Sequence, residues 1–121
     1  MRLDITKLSY DAKWYSMQTG EIVDSPGQDG VFIKIKPFPF SKSNVQVRDG
    51  AIVLSGDEQC RIFKECCEEW QGIVGADDKP LPCTNDVKQK IYDFRMGGIS
   101  DFVIGKVWTF EQAKDDAEKN S

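Results

Sequence analysis

The sequence contains no histidine. That removes the commonest general base and every Ser–His or Cys–His nucleophile pairing. No apolar run approaches the roughly 18–20 residues of a membrane span, and the opening MRLDITKLSYDAKW lacks a run of signal-peptide length. A cytosolic protein without membrane attachment is therefore expected, with its cysteines reduced. No lysine/arginine cluster stands out. The densest basic stretch, Lys34, Lys36 and Lys42, is interleaved with apolar residues, and the net charge of −4 has the wrong sign for a nucleic-acid backbone. The four cysteines (Cys60, Cys66, Cys67, Cys83) include no C-x-x-C, so the knuckles of a zinc site are missing. G-x-G-x-x-G and P-loop patterns are absent too. Asp77-Asp78 lacks the spaced oxygen ligands of a calcium loop and reads as a solvated turn. No catalytic residue, cofactor or metal is expected.

What is present is an ordinary globular composition. Of 121 residues, 40% are apolar and 30% charged, and seven Phe, three Tyr and three Trp supply enough apolar area to oppose ordering entropy. The length fits one domain, placed at 1–110, followed by a polar, fraying tail at 111–121. The predicted fold is α+β: a small N-terminal antiparallel β-sheet or hairpin followed by three α-helices. Val31–Lys36 ends in period-two alternation, the pattern of a half-exposed strand. It pairs with the segment around Trp14 and Tyr15 across the turn-rich stretch Thr19–Gly30. Pro37-Phe38-Pro39-Phe40 ends that strand. A further short strand falls at Val45–Val47 or Ile52–Leu54, hinged at Asp49-Gly50.

Ser55 and Glu58 have capping-box spacing and open a helix read to about Gln71. On it Cys60, Ile62, Phe63, Cys66, Cys67 and Trp70 share one face at about 100° per residue. Gly72 supplies its left-handed C-terminal position. Thr84 caps a second helix, near 85–96, with an apolar stripe of Val87, Ile91 and Phe94. Gly97-Gly98 stops it, and Ser100 caps a third helix, near 101–115.

Three cysteines on the apolar face of the first helix read as small hydrophobes of the core. Phe38 and Phe40 read as core or as an aromatic patch for a partner. In the third helix, Phe102, Val103, Ile104, Val107, Trp108 and Phe110 exceed the arc of about 100° that one core contact needs. Either the helix is packed on two sides, or it presents a partner-binding or self-association face. The candidate partner-binding residues are Phe38, Phe40, Trp108 and Phe110.

The run Trp70-Gln71-Gly72-Ile73-Val74-Gly75-Ala76-Asp77-Asp78-Lys79-Pro80-Leu81-Pro82-Cys83-Thr84 resembles a segment of tailed-phage tail assembly chaperones and related small prophage tail proteins. In that family an amphipathic helix ends in Trp. An x-Gly-Val/Ile step, an acidic/Gly turn and Pro-Leu-Pro-Phe-Thr/Ser follow and open another helix. Trp70, Gly72, Ile73, Asp77, Pro80, Leu81, Pro82 and Thr84 match, and Ile33–Pro39 is similar to the strand before the helices. Gly75 departs from a usual acid, Asp78 from a usual glycine and Cys83 from a usual aromatic. The resemblance implies a non-enzymatic chaperone in the bacterial host cytoplasm. It would bind a phage tail protein, the tape-measure or tube protein, and be absent from the finished particle. The alternatives are a structural or adaptor protein retained in the particle and, less favoured, a thiol-dependent enzyme or metal protein.

Overall fold

The computed structural model describes residues 1–7, 10–39, 42 and 44–107. It has the expected α+β character. A four-stranded antiparallel sheet runs in the order β2-β1-β3-β6. Its strands are β1 (Lys13–Ser16), β2 (Ile22–Val23), β3 (Phe32–Ile35) and β6 (Cys67–Gln71). β1 pairs with β3 across the long turn-rich loop, with Tyr15 opposite Ile33, and the loop itself contributes β2. Both candidate segments after Pro39 are strands, β4 (Val45–Arg48) and β5 (Ala51–Leu54). They form a separate two-stranded hairpin turning at Asp49-Gly50, both at positive φ.

The helices are α1 (Gly56–Cys66), α2 (Asn85–Asp93) and α3 (Ile99–Val107). Ser55 Oγ accepts from Glu58 N at 3.2 Å and Thr84 Oγ1 from Val87 N at 3.3 Å, so both caps form where the spacing places them. The side chain of Glu58, however, turns away from the cap. It binds Asn44 and Arg61 instead, because a buried carboxylate gains more from a guanidinium than from one amide.

The first helix is shorter than expected. It stops at Cys66, and the next five residues become strand β6 on the free edge of β3. The reason lies in the register. Lys34 faces Glu69 and Ile35 faces Cys67, leaving Glu68 as the extra residue of a β-bulge. The bulge puts Cys67 and Trp70 on the same buried side at i, i+3, a spacing that imitates a helix. The third helix likewise begins at Ile99 rather than Asp101, with Ser100 buried inside its first turn.

The core lies between one face of the sheet and the helices. Tyr15, Ile33 and Ile35 meet Ile62, Phe63 and Cys66 of α1, Ile91 of α2, and Ile99, Val103 and Val107 of α3. α3 packs against α1, α2 and β3, so its broad apolar arc over 99–107 goes into packing on several sides. The expected continuation of this helix over 108–115 and the tail at 111–121 lie outside the described residues. No helix among the described residues is long and apolar enough to cross a membrane.

Candidate functional site

The segment that follows β6 folds back on it. Val74 bridges Pro80 in antiparallel fashion, and Leu81 N donates to Ile73 O at 3.0 Å. The turn is closed by Gly75 N to Lys79 O (2.9 Å) and by Lys79 N to the Asp77 carboxylate (3.0 Å). Asp78 is left-handed there, with φ 61°. The indole of Trp70, 8% exposed, donates to Leu81 O at 2.8 Å. Trp70 therefore anchors the Pro80–Pro82 loop, and it does so from a strand rather than from the helix expected there. Gly72 has the expected positive φ, 90°, but it closes a strand. Its α-carbon passes so close to Gly30 that a Cβ would lie 2.1 Å from the Gly30 carbonyl oxygen, an approach only glycine permits.

Further along this return, Cys83 comes beside Cys67. The Cys83 thiol donates to the Cys67 carbonyl oxygen at 3.8 Å. Cys67 is fully buried and Cys83 half-buried. Close by is Lys88, only 5% exposed, whose ammonium donates to Lys64 O at 3.0 Å. The hydrogen bond from Cys67 holds the Cys83 thiol below its ordinary range. Burial opposes this and the Lys88 charge reinforces it. The same hydrogen bond, together with burial, pushes Cys67 upward. Burial alone is the main reason the neighbouring Cys66 is pushed up to about 12. Cys60, Cys66 and Cys67 are thus buried, as expected, and all four cysteines are free.

Among the candidate partner-binding residues, Phe38 is 4% exposed and belongs to the core, with the Arg61 guanidinium 5.2 Å from its ring centroid. It is not a free aromatic anchor, since its side chain is buried in the core cluster. It does form part of the wall of an open cavity of about 420 Å³, with Lys36, Lys42 and Glu65 around it. Phe40, Trp108 and Phe110 lie outside the described residues. Phe94, placed by periodicity on the buried stripe of α2, is 77% exposed. The helix ends at Asp93, and Arg95 turns left-handed. The buried side of α2 instead runs through Lys88 and Ile91.

Lys88 and the Cys67–Cys83 contact were not foreseen. Only the i, i+3 relation of Lys88 to Ile91 hints at its burial. Among the described residues no group of three or more His, Cys, Asp or Glu is placed to hold a metal ion. No family model, curated protein or solved structure matches the chain.

Proposed function

We propose that this protein is a non-enzymatic binding protein of the tailed-phage tail assembly chaperone type, acting in the host cytoplasm. In this reading it holds a tail component, the tape-measure or tube protein, before assembly. The observation that carries the reading is the 70–84 loop. Each residue of the resemblance that the loop needs has a mechanical task there. Trp70 clasps Leu81, Gly72 permits the approach to Gly30, Asp77 ties the turn and Thr84 starts α2. Asp78, where the family usually has glycine, sits at a left-handed φ of 61°, a conformation glycine favours. These contacts support the reading, because the residues that carry the resemblance are the ones that hold the loop together.

A chaperone must cover apolar surface on its client, and exposed apolar side chains suit that task. Phe94 and Met96, 77% and 55% exposed at the junction of α2 and α3, offer such a contact. The test is co-expression with a tailed-phage tape-measure protein, followed by pull-down and a solubility assay. Wild type should retain the tape-measure protein in solution, and Phe94→Asp should weaken that retention while leaving the fold intact. A wild type that neither binds nor solubilises the partner overturns the reading. Presence of the protein in purified virions would favour the retained adaptor instead.

A further inference from the structure

The pairing of Cys67 with Cys83 has no part in the proposed function and stands independently of it. The segment Pro80–Cys83 runs back along the outer edge of β6, held by the Val74–Pro80 bridge, the Leu81 N–Ile73 O bond and the Trp70 clasp. That course places the Cys83 thiol 3.8 Å from the Cys67 carbonyl oxygen, although 16 positions separate the two residues in the chain. Cys83 is half-buried, so a small reagent can reach it, whereas Cys60, Cys66 and Cys67 are shielded. The Lys88 ammonium is fixed nearby through Lys64 O, and Glu69 is the acidic group that faces Cys83. An accessible thiol beside a cation with a shielded thiol next to it is the arrangement of an attacking and a resolving cysteine.

We propose that Cys67 and Cys83 form an intramolecular disulfide by exchange with a small-molecule disulfide of the glutathione type, locking the 70–84 loop onto β6. In the first step the Cys83 thiolate attacks one sulfur of the small disulfide. The old S–S bond breaks, a small thiolate leaves and takes a proton from water, and Cys83 carries a mixed disulfide. Cys67 Sγ then attacks Cys83 Sγ, expelling the second small thiolate, which takes up the Cys67 proton as it leaves. Two protein thiols are oxidised and one small disulfide is reduced to two thiols. The product ties the strand edge to the segment that enters α2, so the loop can no longer peel away from Trp70.

The full-length protein, incubated with excess oxidised glutathione at neutral pH, acid-quenched, alkylated and cleaved after glutamate, tests this. Cleavage after Glu68 and Glu69 separates the two cysteines, and peptide mapping should find Cys83 bonded to the Cys66-Cys67 peptide. Cys66→Ser resolves which of those two is the partner: the cross-link should survive in Cys66→Ser and vanish in Cys67→Ser. Cys83→Ser should leave the remaining thiols reduced. A lasting glutathione adduct on Cys83 without closure, an unreactive Cys83, or a bond to Cys60 or Cys66 overturns the proposal. Where a variant folds poorly, which circular dichroism identifies, fragmentation of the wild-type cross-linked peptide between Cys66 and Cys67 makes the same assignment.

Discussion

The indole Nε1 of Trp70 donates to the backbone carbonyl of Leu81 at 2.8 Å, joining the last buried residue of β6 to the far limb of its own loop. The ring and the hydrogen bond are separable. Trp70→Ala removes both and should lower stability by about 3–5 kcal/mol. Trp70→Phe keeps most of the packing and should lose about 1 kcal/mol. Urea denaturation midpoints measure the two losses, and an unchanged midpoint for Trp70→Ala would mean that the ring is not a structural anchor.

Two positions in the loop should respond in opposite directions. Gly72→Ala puts a methyl 2.1 Å from the Gly30 carbonyl oxygen at φ 90°, and the obstacle is backbone. A loss of more than about 1 kcal/mol is expected. Asp78→Gly relieves a left-handed non-glycine residue and should gain up to about 1 kcal/mol. Thermal melts of both variants check the signs, and a neutral Gly72→Ala would show that the β6 exit can move away from Gly30.

The buried carboxylate of Glu58 sets an acid dependence. Its ion pair with Arg61 and its bonds to Asn44 hold it below the ordinary glutamate value of 4.5, chiefly through the hydrogen bond from Arg61 and against the opposing effect of burial. A carboxyl depressed on folding contributes stability that is fully present above its unfolded value. The contribution is lost as pH falls through the folded value. Melting temperature should therefore drop below about pH 4.5 in the wild type, and less steeply in Glu58→Gln. Parallel acid limbs for the two proteins would remove Glu58 from this account.

Lys88 should matter more for chemistry than for stability. Lys88→Met keeps much of the shape and removes a buried ammonium whose carbonyl partner is Lys64 O, so stability should be retained or raised. The cation favours the Cys83 thiolate. Without it the thiol becomes less acidic, and alkylation of Cys83 at neutral pH should slow several-fold. Mass-spectrometric labelling rates across a pH series measure the shift, and an unchanged profile would show that the Lys88 charge does not reach the sulfur.

Some of this architecture is written locally. The caps at Ser55 and Thr84, the turn at Asp49-Gly50 and the alternating strand ending at Lys36 depend on neighbours in the chain, so they are legible from it. The absence of histidine and the make-up of the 70–84 loop are equally properties of the string. Other features follow from contacts between distant segments. β6 exists because β3 has a free edge to pair with, and its bulge at Glu68 gives Cys67 and Trp70 a spacing that periodicity assigns to a helix. Phe94 is exposed because the chain turns at Arg95, one residue beyond the reach of a helical pattern. The meeting of Cys67, Cys83 and Lys88 depends on how the loop returns along the sheet edge and how α2 packs on α1. Local patterning carries the propensity of each segment, while edge pairing and the burial of one face against another decide which competing propensity prevails.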